Sequence, residues 1–147
     1  MTTVKVELSV KSPAREIYGV IKNMEDFPNF MRDVKSLKII KRLPDRIITM
    51  WEAEIDGAPL TWKEENIFND NSCQMKFAMV EGNYKAYRGT WQVQNLRNNS
   101  KLTLSADFDW GIPILEAYVG KALEKKARQG LLGMLQAIKK KVENGNV

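Results

Sequence analysis

The sequence predicts an α+β protein in which an antiparallel sheet of about seven strands packs on one long C-terminal helix, with two short helices after the first strand. Three observations predict it. Over residues 112–143, behind Pro113, apolar residues recur at Leu115, Val119, Ala122, Leu123, Ala127, Leu131, Met134, Ile138 and Val142, the three-to-four spacing of one helical face. Residues 34–110 instead alternate with period two. The alternating runs are separated by turn chemistry at Pro44-Asp45, Asp56-Gly57, Asn69-Asp70-Asn71, Glu81-Gly82-Asn83 and Asn98-Asn99.

The opening strand is 3–10, with Val4, Val6, Leu8 and Val10 on one face and Thr3, Lys5, Glu7 and Ser9 on the other. Ser12-Pro13 reads as N-cap and first position of a short helix carried to Lys22 by Ile17, Tyr18, Val20 and Ile21. Asn23 is placed to cap a second small turn. Phe27, Phe30 and Met31 then gather around Pro28, either as a plug for one end of the core or as the mouth of a pocket. The meander follows as strands 34–43, 46–55, 60–68, 73–80, 84–96 and 101–110. Its inward positions carry Trp51, Trp62, Phe77, Tyr87, Trp91, Phe108 and Trp110, and its outward positions are rich in charge, so one face meets the helix and the other meets water. In the final helix Gly120, Gly130 and Gly133 each cost about 1 kcal/mol relative to alanine. That cost implies either a close approach to the sheet or space left open beneath the helix.

Composition narrows the chemistry. The chain has 147 residues, 44% hydrophobic and 28% charged, and is expected to form a single domain over 1–147. No apolar run approaches the roughly 18 residues of a membrane span, which predicts no stable membrane insertion. The first ten residues alternate instead of forming a secretory leader, so the expected location is cytoplasmic. There is no histidine, which removes Ser-His-Asp hydrolysis, imidazole general-base chemistry and the common zinc sites; no metal and no cofactor are expected. Cys73, the one cysteine, reads as a small buried hydrophobe. The net charge of +5 is spread among acids, apart from a cluster at Lys139, Lys140 and Lys141 that reads as a solvated helix end complementing the macrodipole. Basic residues interspersed with acids, and aromatics facing inward, predict no nucleic-acid partner. A charged outward face predicts a monomer or at most a weak dimer.

The order strand, two short helices, six strands and long helix resembles the helix-grip fold of the START-like, or Bet v-type (SRPBCC), superfamily, and more narrowly its polyketide cyclase/dehydrase and coenzyme Q-binding branch. The residues that carry the resemblance are Ser12-Pro13-Ala14-Arg15-Glu16-Ile17-Tyr18, Met24-Glu25-Asp26-Phe27-Pro28-Asn29-Phe30, Gly89-Thr90-Trp91 and the helix from Ile112. The resemblance implies a curved sheet gripping the helix around a cavity for a hydrophobic small molecule such as a polyketide, quinone or lipid, which is then bound, transferred or cyclised. It also implies that a cyclase of this kind works with few acid/base groups. The candidate ligand contacts are Trp51, Trp62, Glu64, Asn66, Phe77, Tyr87, Trp91, Phe108 and Trp110, with Phe27 and Phe30 at a gate. Glu64 and Tyr87 are the acid/base candidates for a cyclase or dehydratase. Inward Thr49, Glu64 and Asn66 would be costly in a dry core. Glu64 is therefore either a pocket carboxylate with a raised pKa or a group solvated at the sheet edge or in a water-filled mouth.

Overall fold

The structure, a computed structural model, describes residues 2–55, 57–82, 85–109, 111 and 113–145, and for Ile55 and residues 113–119 the backbone alone. The chain runs β1 (Thr2–Val10), α1 (Ala14–Lys22), a 3-10 turn (Met24–Asp26), α2 (Phe27–Phe30), then β2 (Val34–Arg42), β3 (Ile47–Ile55) and β4 (Ala58–Asn69). A second 3-10 turn (Asp70–Ser72) leads to β5 (Gln74–Gly82), β6 (Ala86–Asn95), β7 (Ser100–Asp109) and α3 (Pro113–Glu143). The seven strands form one antiparallel sheet in the order β1-β7-β6-β5-β4-β3-β2. Six of them are the meander that the turn residues predict; β1 closes the far side by pairing with β7, from Thr2 opposite Phe108 to Val10 opposite Ser100.

The inward alternation becomes the core. Leu102, Leu104, Ala106 and Phe108 of β7, Trp91 and Val93 of β6, and Met75 and Phe77 of β5 are all buried, against Leu131, Leu135, Ile138 and Val142 of α3 and Ile17 and Ile21 of α1. Leu135 is fully buried although the apolar stripe read from the sequence passed it over, and Ala122, which that stripe included, is exposed. Helix α3 is pinned to the β1 edge. Arg128 donates to the Lys5 carbonyl at 2.9 Å, Lys139 donates to the Ser9 carbonyl at 2.7 Å, and the Glu143 carboxylate accepts from the Lys11 N–H at 2.8 Å. These bonds satisfy backbone groups that an edge strand otherwise leaves open. The lysine cluster is thus not simply solvated: Lys139 holds β1, while Lys141 pairs with Asp26 at 3.3 Å and lies 4.9 Å from the Phe30 ring centre.

Two local readings are corrected. Pro13 is the N-cap of α1, and the Ser12 hydroxyl bonds the Glu16 carboxylate at 2.6 Å instead of capping a backbone N–H. Cys73 is half-buried and precedes β5 in a left-handed conformation (φ 50°), so it neither starts the strand nor disappears into the core.

Close approach does occur at glycines, but in the sheet. A Cβ on Gly82 would stand 2.6 Å from Cβ of Trp62, its cross-strand partner. A Cβ on Gly89 would run into the Ser105 carbonyl and lie 2.7 Å from the Phe77 ring and 2.9 Å from the Ala106 Cα. A β-bulge between Lys63 and Glu64 leaves Val80 unpaired on β5, and it re-aims the inward side chains of β4 just where Trp62 and Glu64 stand.

Candidate functional site

Because α3 leans on β1, its opposite flank stands clear of the sheet beneath the β3–β4 hairpin. Gly120, Gly130 and Gly133 have nothing within 4 Å of where a Cβ would stand, which selects open space over close approach as the account of the helical glycines. Gly130 and Gly133 border a cleft of about 570 Å³ together with Met31 and Asp33 from the segment before β2, Lys35 of β2, Glu54 near the end of β3, and Lys126 and Gln129 of α3. The cleft continues into an apolar recess of about 90 Å³. On the sheet side the recess is walled by Trp51, Ala53, Leu60, Trp62, Tyr87 and Phe108, and on the helix side by Ala127, Leu131 and Met134. Asp33, Val34, Glu54, Gly130 and Met134 border both spaces, so charged mouth and apolar floor are one continuous site.

The floor is an aromatic pavement. Trp51 and Trp62 face each other across β3 and β4 and stack at 5.2 Å with 16° between planes. Tyr87 meets the Trp62 edge at 5.9 Å and stacks on Phe108 at 4.8 Å. Offset and edge-to-face geometry of this kind adds about 0.5–1.5 kcal/mol per pair to the burial of the rings.

Behind the pavement lies a polar network without water access. The Trp51 indole N–H donates to the Thr49 hydroxyl at 2.9 Å, and that hydroxyl donates to Asn66 Oδ1 at 2.7 Å. Asn66 Nδ2 donates to one Glu64 oxygen at 2.6 Å, and the Trp62 indole N–H donates to the other at 2.7 Å. Glu64 is 2% exposed, which rules out the solvated-edge account of this carboxylate. Burial pushes its pKa from 4.5 up to about 7, with the bonds from Trp62 and Asn66 acting in the opposite direction.

The structure therefore sorts the residues singled out by sequence. Trp51, Trp62, Tyr87 and Phe108 meet at the cleft wall. Glu64 and Asn66 stand one layer behind it, and Phe77 backs Tyr87 at 5.0 Å. Phe27 is fully buried, its ring 6.0 Å from Trp51 and 6.2 Å from Trp91, so it plugs the core and does not gate it. Trp91 is buried beside it; Phe30 packs on Phe27 and lines a neighbouring hollow that shares Met31, Arg32, Val34 and Lys35 with the cleft, and of Phe27, Phe30 and Met31 the cleft itself is bordered by Met31. Trp110 lies outside the described residues. The polar rim, charged at Asp33, Lys35, Glu54 and Lys126 and neutral at Gln129, escaped the sequence reading, because charge on a strand end or a helix flank reads as solvated surface; the glycines at 130 and 133 were its only signal. Among the described residues no group of three or more His, Cys, Asp or Glu is placed to hold a metal ion, and no helix is long and apolar enough to cross a membrane.

Residues 10–134 match the family of polyketide cyclase / dehydrase and lipid transport proteins. The chain belongs to that family. Among the curated proteins, this chain is similar to major latex protein 22 of Papaver somniferum, with 32% identity over 91 residues, 57% of this chain and 58% of that protein. The matched segment thus spans little more than half of the relative. Among solved structures the fold is shared with a protein of Thermus thermophilus (TM-score 0.92, 23% identity, 99% of this chain and 100% of that one). It is also shared with the Zhui aromatase/cyclase of Streptomyces (TM-score 0.87, 14% identity, 97% and 93%). Ginseng major latex-like protein 151 has it as well (TM-score 0.79, 16% identity, 94% and 95%). At these identities the three structures speak for the helix-grip fold, which is the arrangement the sequence predicts.

Proposed function

We propose that this polyketide cyclase and lipid transport family member binds and transfers a hydrophobic small molecule, polyketide-, quinone- or lipid-like, in the cleft between sheet and α3. The observation that carries the reading is the aromatic pavement, buried Trp51 and Phe108 with half-buried Trp62 and Tyr87, that walls a recess beneath a glycine-bearing stretch of helix. A floor of about 90 Å³ is smaller than the roughly 150 Å³ cavity that holds one benzene, so only one end of such a ligand sits on the indoles. The rest extends into the charged mouth, where bare hydrocarbon would strip water from Lys35, Glu54 and Lys126. The fitting ligand is amphipathic. Covering roughly 150 Å² of apolar surface at that end contributes about 4 kcal/mol before immobilisation costs, so polar contacts in the mouth supply the rest of the affinity. In this reading the protein acts as one 1–147 domain, a monomer or weak dimer in the cytoplasm, with no nucleic-acid partner.

The second reading is a cyclase, aromatase or dehydratase in the same cleft. It is favoured by a carboxyl, Glu64, poised near neutrality. Binding is preferred because the Trp62 ring stands between that carboxyl and the cleft. If Glu64 does perform acid/base chemistry, Glu64→Gln abolishes turnover of a polyketide-like substrate while the fold persists; retained turnover clears it.

Titration of quinones, fatty acids and polycyclic aromatics against tryptophan fluorescence tests the binding. Saturable quenching is expected, weakened at least tenfold in Trp62→Ala and little changed in Phe30→Ala. No saturable response across the three classes removes the proposal. The glycines supply a second check. Gly130→Leu should leave stability unchanged or raised by up to about 1 kcal/mol, because nothing opposes a Cβ there, yet fill the floor and weaken binding. A loss of stability in urea unfolding, or intact binding, contradicts the open-space account.

A further inference from the structure

Both tryptophans of the cleft wall have their N–H groups committed to one chain of hydrogen bonds, and that chain ends on a single ionisable group. Trp62 reaches the Glu64 carboxylate directly at 2.7 Å; Trp51 reaches it through Thr49 and Asn66, with steps of 2.9, 2.7 and 2.6 Å. Every member donates toward Glu64: the Thr49 proton goes to Asn66 Oδ1, which turns the amide nitrogen of Asn66 to the carboxylate. A carboxylate suits this because it only accepts, and charge-assisted bonds of this type are the stronger ones. A neutral carboxyl at the same place becomes a poorer acceptor for one of its two donors and brings a proton of its own into a network already donating inward. The groups packed around it are neutral. β3 presents Thr49 and Trp51, β5 presents Phe77 and Met79, and from β6 comes the Tyr87 ring against Trp62. Among the described residues of these strands no charged side chain is placed to balance a change at Glu64, which is acted on by burial, Trp62 and Asn66, so its own proton decides.

We propose that Glu64 is a positioning residue that holds the stacked Trp51–Trp62 pair in place as the wall of the cleft, ordered while Glu64 is ionised and loosened when it is protonated. The wall follows from the contacts alone; its consequence for ligand affinity rests on the cleft being the binding site. The burial that raises the Glu64 pKa to about 7 places the change near neutral pH. This gives a group that touches no ligand control over the surface that does.

The decisive measurement uses ligand-free protein. Indoles stacked at 5.2 Å couple their transitions, so circular dichroism reports the pair as an exciton couplet. The couplet is expected to weaken on lowering the pH through neutrality, to be lost in Trp51→Phe, and to become independent of pH in Glu64→Gln. NMR of the unmodified protein guards against a variant that folds poorly: the Trp62 indole N–H resonance should titrate with the same midpoint as the Glu64 carboxyl carbon. A couplet constant with pH in the wild-type protein, an unchanged titration in Glu64→Gln, or an indole resonance that ignores the carboxyl overturns the proposal. Naphthol affinity measured across the same range should fall fivefold or more at the acid side. If naphthol and the other probes fail to bind at any pH while the couplet follows Glu64, the positioning role stands and the ligand reading falls.

Discussion

Gly89→Ala is expected to destabilise the fold by more than about 3 kcal/mol, and bulkier residues at this position to prevent folding. The added Cβ would collide with the Ser105 carbonyl and crowd the Ala106 Cα, and backbone atoms of a paired strand cannot move aside as the tip of a flexible side chain can. The Phe77 ring, 2.7 Å away, is itself held against Tyr87 at 5.0 Å, so it offers no relief. Urea unfolding gives the answer directly. The informative contrast is Gly130→Ala in the same assay, where open space and helix propensity together predict a gain of up to about 1 kcal/mol. Equal effects at the two positions would mean that the β6–β7 contact yields in a way this packing does not allow.

The second large effect is a stability that falls as pH rises through the Glu64 titration. In the unfolded chain the group titrates near 4.5 and in the folded protein near 7, so between these values the native state holds a proton that the unfolded state has released. Stability therefore decreases with rising pH across this window, is free of the penalty below it, and carries the whole penalty above it. The shift corresponds to something on the order of 3 kcal/mol. Asp26, Asp70 and Glu143 work in the opposite sense: each is held below its ordinary value, Asp26 first by Asn29, Asp70 by Lys22 and Glu143 by Lys139. What they contribute is lost only in more acid solution, so the two limbs separate. Urea midpoints measured across the Glu64 window should slope downward in the wild type and lie flat in Glu64→Gln. A flat wild-type profile would mean that the carboxyl is solvated in solution. The ionised form is thus the less favourable one for the fold while being the better acceptor for Trp62 and Asn66, a combination characteristic of groups retained for function over stability.

Much of this molecule is determined by local pattern. Period-two alternation assigned Trp51, Trp62, Phe77, Tyr87 and Phe108 to the inward face, because a strand has only two faces and the outward one is charged. Turn residues set the strand order of the meander, and the apolar spacing after Pro113 set α3. The absence of histidine by itself excludes chemistry that needs an imidazole. Tertiary structure decided everything that depends on where elements lean. That α3 is tied to β1 by Arg128, Lys139 and Glu143, and so leaves its other flank off the sheet, follows from contacts more than 120 residues apart in sequence. The same lean makes Gly130 and Gly133 the edge of a cleft instead of a packing contact, and turns Asp33, Glu54 and Lys126 from surface charge into its rim. The choice between a buried Glu64 with a raised pKa and a solvated one was equally out of reach, since alternation says which face a residue takes and not how thickly that face is covered. Side-chain periodicity is a property of one strand or helix; depth, and with it the pKa of a carboxyl and the partners of two indoles, belongs to the elements laid over it.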